Sequence, residues 1–303
     1  MERILIIWFF LLMILTPPLF PGVWDLSQLD SSARITSLGG IDSVANTQFE
    51  SIFGNPGSLD NSSGLCFGWM NTPLIGDVNY LVSGAKITNL FGFDFGLGLG
   101  LQQIRTDGIY QTALDGGGDA YILNNLQYDQ TRLCFSLSRQ LQAGLALGIG
   151  ISTERINWGS LGAGNSYGLD LGAEFQPLEG LKIGVVGKNI MGKMTWTNNI
   201  NESLSTRIKA GSEIKTPYGL LFIEAESTDT GKPDLRIGTI MPIFHFVELR
   251  AGFHPAASDV NNNEWFSLGL GINSSFIKLD YAYKHDFNYE TNSQHTFSFL
   301  LEI

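Results

Sequence analysis

Charge, cysteine and long apolar runs are all scarce in this sequence of 303 residues. Charged residues make up only 16% of it, which is too little for a disordered chain. The formal net charge is -11 and lysine and arginine form no cluster, which argues against a nucleic-acid partner. The two cysteines, Cys66 and Cys134, lack the C-x-x-C spacing of a zinc site and are too few for a disulfide framework, although a single bond between them stays open.

Apolar residues are abundant but dispersed. They make up 44% of the chain, yet after the first 20 residues no apolar run reaches the roughly twenty residues that a membrane-spanning helix needs. The apolar character must therefore lie in a repeating pattern of short spacing.

The amino terminus predicts a secretory signal over residues 1–22. Arg3 precedes an apolar stretch, residues 4–15, which two prolines then break. An uncleaved membrane helix is the alternative, but the stretch is too short to span a bilayer. Gly22 is the plausible last residue of the signal, and no cysteine follows it to carry a lipid anchor.

The rest of the chain alternates between apolar and small or polar residues with a period of two. In residues 91–102, FGFDFGLGLGLQ, phenylalanine and leucine take every odd position while glycine, aspartate and glutamine take every even one. Residues 141–152, 166–175, 247–254 and 277–284 alternate in the same way. Successive side chains of a strand point to opposite faces, so each of these strands has one apolar face and one polar or glycine-rich face.

The length of these strands predicts a membrane barrel. A soluble sandwich also alternates, but its strands average about five or six residues, whereas these run for about ten to fifteen. In lipid every backbone polar group must be paired within the protein, so spanning strands must form a ring. We therefore predict an all-β fold, a closed antiparallel transmembrane β-barrel of about 14 strands, in contact with the lipid of a bacterial outer membrane. A soluble or surface-adhesive β-protein is the weaker alternative.

The connections between the predicted strands alternate between short and long. Outer-membrane barrels place short turns in the periplasm and long loops outside, so both termini are predicted to be periplasmic. The longest predicted outer loop spans residues 105–125. The fourteen predicted strand segments are 64–72, 78–88, 90–104, 126–139, 141–154, 165–176, 179–190, 203–214, 218–228, 233–240, 245–254, 264–273, 275–286 and 294–303.

Charged residues of both signs fall on the inward side of these strands. We interpret them as a paired polar interior that holds the barrel and its plug; a selective channel is the alternative. Cys66 and Cys134 share the inward parity and are interpreted as fillers. The predicted inward set is Asp94, Arg132, Asp170, Glu174, Lys182, Lys188, Arg207, Lys209, Glu213, Glu224, Glu226, Arg236, Glu248, Arg250, Lys278, Asp280 and Lys284.

Aromatic residues cluster near the predicted strand ends and outer loops. Rings with a polar tip suit the membrane interface, so we expect girdle residues among them. They are Trp69, Tyr80, Trp158, Trp196, Tyr218, Trp265, Tyr281 and Tyr283.

Three stretches resemble the PorV and PorQ group of outer-membrane proteins, whose barrels are akin to those of the FadL fatty-acid transporters. They are SSARITSLGGIDSVANTQFESIFGNPGSLD (31–60), GNSYGLDLGAEFQPLEGLKIGVVGKNI (164–190) and LDYAYKHDFNYETNSQHTFSFLLEI (279–303), about a quarter of the chain in the expected order. Gly57 stands where the group shows alanine, and Ile303 replaces the usual terminal aromatic residue. The residues that carry the match are Gly39, Gly40, Asn55, Pro56, Asp170, Gly180, Asn189, Asp280, Tyr281, Tyr283, His295 and Ser298.

The resemblance implies a domain organisation and a range of functions. It implies a barrel over residues 64–303, preceded by a segment, residues 23–63, that lies near or inside the lumen as a hatch or plug. The group's roles include type IX protein secretion, as a cargo carrier or membrane component, with secreted cargo or secretion-system components as partners. The alternative is FadL-like transport of hydrophobic small molecules across the outer membrane. Neither role needs a cofactor, and none is predicted.

A lipase-like motif is present, but its context argues against catalysis. Gly164, Ser166 and Gly168 fit the pattern G-x-S-x-G, which needs a strand, a sharp turn and a helix. Ser166 instead opens a long predicted strand, and no histidine lies at a spacing that defines a base. An outer-membrane lipid hydrolase is thus a minor alternative. We predict a protein that is not an enzyme, with no catalytic, cofactor or metal site.

Overall fold

A computed structural model describes residues 26–45, 48–61, 64–74, 78–89, 95–142, 144–227, 233–255, 264–288 and 293–303. The predicted signal, residues 1–22, lies outside these residues, as do Phe91, Phe93 and Asp94. None of the helices in the described ranges has the length and apolar character needed to cross a membrane.

The described residues form sixteen strands, and fourteen of them close into one antiparallel barrel. β1 pairs with both β2 and β16, β5 pairs with β6, and β7 pairs with β10, so the ring is complete. β8 and β9 form a short hairpin that attaches to β6 beside this ring. Each of the fourteen predicted segments overlaps one barrel strand, which confirms the predicted fold. The bounds are β1 Leu65–Pro73, β2 Asn79–Thr88, β3 Phe95–Leu114, β4 Ala120–Gln142, β5 Leu145–Asn157, β6 Ala163–Leu178, β7 Leu181–Lys188, β8 Lys193–Trp196, β9 Asn201–Ser203, β10 Arg207–Thr216, β11 Gly219–Ser227, β12 Asp234–Phe244, β13 Val247–His254, β14 Trp265–Asn273, β15 Ile277–Asp286 and β16 Gln294–Glu302.

The outward face of the barrel is apolar. Leu99, Phe135 and Ile151 are directly opposite one another on β3, β4 and β5, and each is about half exposed. Their chain neighbours turn inward and are buried. The outer belt, as we call this outward apolar surface, includes Leu99, Leu133, Phe135, Ile151, Leu171, Ile223, Leu249, Leu268, Leu279 and Phe297.

The prediction of a long loop over residues 105–125 is wrong. β3 and β4 continue past the barrel and pair with each other as far as Leu114 and Ala120, leaving a turn of only residues 115–119. Beyond the lipid nothing requires one face to be apolar, so a period of two no longer marks the strands there. We call the projecting hairpin, residues 110–125, the ribbon.

The residues before β1 fold back against the inward side of the barrel wall. They form a helix α1, Ala33–Ser37, and short 3-10 turns at Leu26–Gln28, Phe49–Ile52 and Pro56–Asn61. The side chain of Ser32 caps α1 by accepting a hydrogen bond of 3.2 Å from the Ile35 backbone N–H. Nearly all of this stretch is buried. We call residues 26–45 and 48–61 the inner segment.

Candidate functional site

A ring of inward glycines receives the inner segment. A Cβ atom at Gly68 would overlap the Phe49 ring, and one at Gly148 would overlap the backbone of Pro56. The glycine side of the sequence alternation is therefore the space into which the inner segment fits. The glycine ring consists of Gly68, Gly84, Gly98, Gly100, Gly148, Gly172, Gly184, Gly211, Gly238, Gly252 and Gly269.

Gly39 and Gly40 make the turn that brings the inner segment against the wall. Both have positive φ, 80° and 75°, which side chains with a Cβ rarely adopt. A Cβ at Gly39 would lie 3.3 Å from the Phe253 backbone nitrogen, and one at Gly40 would lie 3.7 Å from the Trp265 ring. The glycine pair thus allows the chain to turn and also allows its backbone to pack closely against the barrel wall.

Asn55 and Pro56 fix the other end of the inner segment. The Asn55 amide donates to the carbonyl oxygens of Ser43 at 2.7 Å and Ala173 at 3.0 Å, while its Oδ1 accepts from the Gly57 N–H at 2.9 Å. Pro56 packs against two inward glycines of β5 and β6. One amide therefore joins two parts of the inner segment to β6.

Asp170 and Asn189 connect β6, β7 and the start of the inner segment. The Asp170 carboxylate accepts from the Asn189 N–H at 2.8 Å and lies 3.5 Å from Lys188 Nζ and 3.7 Å from an Arg132 nitrogen. Asn189 has a φ of 53°, and its side-chain amide donates to Ser27 Oγ at 3.2 Å. Both residues thus have structural contacts in the interior.

Ion pairs hold the inner segment to the wall on the side of β10 to β13. Asp42 pairs with Lys209 at 2.7 Å, and Arg34 pairs with Glu248 at 3.1 Å. Lys209 also lies 3.7 Å from Glu226. All five side chains are largely buried, so each charge depends on ion-pair partners inside the barrel and removing a partner should be destabilising.

The main chain of the inner segment also bonds to this side. Glu224 accepts hydrogen bonds from the backbone N–H groups of Asp42 and Ser43, at 3.0 and 2.7 Å. Arg236 donates to the Gly40 carbonyl at 3.1 Å and to Glu224 at 3.0 Å. Side chains of β11 and β12 thereby satisfy backbone groups of an irregular segment.

The prediction that the inward charges are paired is confirmed for most of the described set. Lys284 differs, because its ammonium lies 4.1 Å from the centre of the Trp265 ring. The remaining inward residues form the pairs Arg132–Asp170, Lys182–Glu174, Lys182–Glu213, Lys188–Asp170, Arg207–Glu226, Arg236–Glu226, Arg250–Glu248, Arg250–Asp280 and Lys278–Glu302.

A cavity of about 210 Å³ lies beside Asp280, towards the end of the barrel with the short turns. Arg34, Glu248, Arg250 and Lys278 line it with Asp280, and Asp280 lies 2.7 Å from Arg250. Positive and negative groups are mixed there, so the lining favours no ion of one sign.

The opposite side of the interior contains an apolar cluster. Phe49, Ile52 and Phe53 of the inner segment pack with residues of β1 to β4. Tyr128 joins this cluster to a second one at the end with the long connections, which contains Met194. The apolar end, as we call it, comprises Met70, Tyr80, Ile104, Tyr128, Ile156, Met194, Trp196 and Leu204.

The interior aromatic residues were partly missed by sequence reasoning. Tyr80 and Trp265 were expected at the membrane interface, but both are buried and face inward. The alternation of β2 would have placed Tyr80 correctly, because Tyr80 lies at even-numbered spacing from Val82 and Gly84, which also face inward.

His295 lies outside the interior, as do Tyr281 and Tyr283 among the described residues that carry the family resemblance. It is exposed on the outward face of β16, where its Nδ1 lies 2.8 Å from the Tyr281 hydroxyl. The rings of Tyr283 and Tyr281 lie 5.1 and 6.1 Å from it. This grouping suits an interfacial aromatic girdle.

Ser166 does not lie at the strand, turn and helix junction that the G-x-S-x-G motif needs. It lies within β6, is buried, and is opposite Glu154 and Met194 on the neighbouring strands. His254 and His295 lie on β13 and β16, which do not neighbour β6 in the barrel. The motif therefore occurs inside a strand, as its sequence context predicted.

Cysteine and metal chemistry add no further site in the described ranges. Cys66 and Cys134 are both buried and free, so the disulfide left open by the sequence is not formed. No group of three or more histidine, cysteine, aspartate or glutamate side chains in those ranges is arranged to hold a metal ion.

Comparison with known proteins finds likeness in solved structures alone. No family model and no curated protein matches the chain. The toluene transporter TodX of Pseudomonas putida superposes with a TM-score of 0.65 at 10% identity, covering 90% of this chain and 98% of TodX. This is the fold of the FadL-type outer-membrane barrels.

Two further FadL-type barrels extend the likeness. The toluene transporter TbuX of Ralstonia pickettii has a TM-score of 0.61 at 12% identity, covering 90% of this chain and 98% of TbuX. A FadL homologue of Pseudomonas aeruginosa has a TM-score of 0.57 at 11% identity, covering 94% of this chain and 99% of the homologue. At such identities the likeness to FadL-type barrels establishes the fold.

Proposed function

We propose that this chain is an outer-membrane channel for hydrophobic small molecules. The observation that carries the proposal is a barrel that superposes on toluene transporters over 90% of its length. The apolar outer belt fits a lipid-facing wall, and the paired interior charges fit a lumen shielded from lipid. This function reverses the order of the two roles that the PorV and PorQ resemblance implied.

The apolar end is the proposed binding surface for the solute. Its side chains come from β1, β2, β3, β4, β5 and β8 and from Leu204, which follows β9, so they surround one region beneath the long connections. An apolar solute that enters there leaves water, which favours binding by about 25 cal/mol for each Å² of apolar surface buried. A charged solute would lose its hydration on entering a region lined mainly by apolar side chains.

A solute that leaves the apolar end along the barrel axis would next reach the level of the glycine ring. At its level the inner segment packs directly on the wall glycines, and we propose that this segment shifts to open an axial path. The ion pairs lie on the side of β10 to β13 and the apolar contacts lie on the side of β1 to β4. We propose that the apolar contacts yield first, because a bound apolar solute can replace them.

Uptake of radiolabelled toluene tests the proposal. The full chain would be expressed in an outer-membrane host that lacks its own FadL-type channel, with an empty vector as reference. Met194→Gln places a polar group in the apolar end and should lower uptake several-fold, because burying an unpaired amide costs about 1–3 kcal/mol. Met191→Gln is the matched control, since Met191 is 71% exposed. Uptake no higher than the empty vector would contradict the proposal.

A second candidate function is that of a cargo carrier in type IX secretion. The close packing of the inner segment on the glycine ring favours it, because a carrier needs no open path. Its test is co-purification, from the native host, of secreted proteins with a common carboxy-terminal sorting domain. Cargo bound without toluene uptake would support the carrier, and toluene uptake without cargo would support the channel.

The periplasmic position of both termini stays a prediction. It follows from the short turns, which lie at the same end of the barrel as Leu65 and Ile303. A protease-sensitive tag at the carboxy terminus should be protected in intact cells and cleaved after the outer membrane is permeabilised.

A further inference from the structure

The ribbon projects beyond the barrel with both of its outer edges open. β3 pairs with β2 only as far as Arg105, and β4 pairs with β5 only as far as Asp129. From Tyr110 to Asn125 the two strands pair with each other and, within the described ranges, with no other strand. An isolated two-stranded hairpin is marginally stable in water, so this exposed element is incomplete by itself.

One face of the ribbon is an exposed apolar surface. The pairing Thr112↔Ile122 and Leu114↔Ala120 places Ile122, Leu114 and Tyr110 on the same face. Their exposed fractions are 60%, 71% and 59%, among the highest of the large apolar side chains described. We call these three residues the apolar strip. Exposed apolar surface of this kind marks a site of interaction.

Lipid cannot be the partner of this element. A strand edge carries backbone N–H and C=O groups that need hydrogen bonds, and hydrocarbon offers none. A second polypeptide strand offers both, in the pairing by which peptides add to the edge of a sheet.

The β3 edge is the regular one. Leu123 forms a bulge that interrupts the β4 side between Ile122 and Asn124, whereas β3 runs without interruption from Ile109 to Leu114. A bulge disrupts pairing with a further strand. The available edge is therefore the six residues of β3.

The charge of the ribbon indicates which kind of partner strand could pair with it. Residues 110–125 contain two carboxylates, Asp115 and Asp119, and no lysine or arginine. A second copy would bring the same two carboxylates and a further net charge of -11, so self-pairing is opposed. A strand flanked by basic residues is favoured.

We infer that the ribbon is a docking site for a partner protein, which adds an extended strand with basic flanks along the β3 edge and covers the apolar strip. This inference does not rest on the proposed function, since the ribbon lies apart from the apolar end and the inner segment. It applies equally to an accessory subunit and to a secreted protein.

Binding of synthetic strands to the full chain in lipid nanodiscs tests the inference. The probe is a fluorescent peptide of alternating threonine and valine with two lysines at each end, followed by anisotropy. Three comparison peptides have glutamate flanks, a central proline, or a scrambled order without alternation. We expect the lysine-flanked peptide to bind saturably and the three comparison peptides to bind at least about tenfold more weakly than it does.

A matched pair of variants assigns the binding to the ribbon face. Tyr110→Ser with Ile122→Ser should weaken binding of the lysine-flanked peptide about tenfold, because two of the three strip residues are lost. Gln111→Ser with Asn124→Ser changes an opposite pair on the other face and should leave binding within about twofold. Heat-dependent migration in gels checks that both variants retain the barrel.

Several results would overturn the inference. They are absence of binding, equal binding of the proline or glutamate peptide, equal loss in both double variants, or oligomers of the wild-type chain that the Tyr110→Ser, Ile122→Ser variant dissociates. The last result would assign the ribbon to contact between copies.

Discussion

Gly252 shows how a single inward glycine determines the interior. A Cβ atom at this position would overlap the backbone nitrogen of Gly39, and backbone cannot move aside as a flexible side chain can. The sequence alternation predicted that Gly252 faces inward. It could not predict the contact with Gly39, because 213 positions separate the two residues and no pattern links them.

Gly252→Ala is expected to destabilise the protein by about 1–3 kcal/mol, because the added methyl group overpacks a contact with main chain. Chemical unfolding in detergent micelles measures the change in the free energy of unfolding. Gly116→Ala is the control, since a Cβ there meets nothing within 4 Å. Equal free energies of unfolding for the two variants would contradict the prediction and would show that the inner segment can move to make room for the methyl group.

Asp115 organises the tip of the ribbon. Its carboxylate accepts hydrogen bonds of 2.9 Å from the N–H groups of Asp119 and Gly117, and these bonds hold its pKa below the ordinary 3.8. A lowered pKa in the folded state means that the stabilisation of the turn is present above pH 3.8 and is lost as pH falls through the lower folded value.

Titration of the Gly117 and Asp119 amide signals by NMR should therefore give a midpoint below pH 3.8, and Asp115→Asn should abolish the transition. A midpoint at or above that value would contradict the hydrogen bonding of the tip. Asp107→Asn is the control, because Asp107 lies on β3 before the ribbon and should leave the midpoint unchanged.

The inner segment is the element that sequence patterns describe least well. Its residues alternate with no single period, since they contact the wall through side chains, backbone and short turns in succession. The family resemblance implied a segment near the lumen and named Gly39, Gly40, Asn55 and Pro56. The ion pairs with β10 and β13 could not be predicted from the sequence, because a charged residue on a strand does not indicate which distant residue it pairs with.

Lys209→Met should loosen the inner segment by about 3–5 kcal/mol, because it leaves Asp42 buried without its partner at 2.7 Å. Hydrogen exchange of the backbone over residues 33–45 measures this local stability. Adding Asp42→Asn should restore part of the loss, since the carboxylate that pairs with Lys209 at 2.7 Å is then neutral. Lys215→Met, an exposed lysine on the same strand, should change little. Equal exchange in the Lys209 and Lys215 variants would contradict the role of the ion pair.

The ribbon marks where the strand pattern stops being informative. Within the membrane region the lipid requires outward side chains to be apolar, so the period of two located all fourteen barrel strands. In the ribbon both faces meet water, and Gln111, Thr112 and Asn124 can occupy a strand as readily as a loop. The strand ends there were missed for that reason.

For the whole molecule, the outer belt defines which exposed apolar residues meet lipid. Ile151→Arg should destabilise the barrel in vesicles by about 2–4 kcal/mol, because a charge on the lipid-facing surface near the midplane is poorly solvated. Leu114→Arg should cost almost nothing, although Leu114 is more exposed, because the ribbon lies beyond the belt. Unfolding titrations in lipid vesicles measure both. Similar costs at the two positions would mean that the belt is not in hydrocarbon.

The glycine ring also limits how this protein and its relatives can diverge. At several of these glycines the backbone of the inner segment packs directly on the backbone of the wall. A new side chain on either one requires the other to move away, so most single substitutions there are expected to destabilise the protein. We expect related sequences to conserve the two together or to replace them as a set, giving correlated substitutions between wall glycines and the residues that precede the first strand.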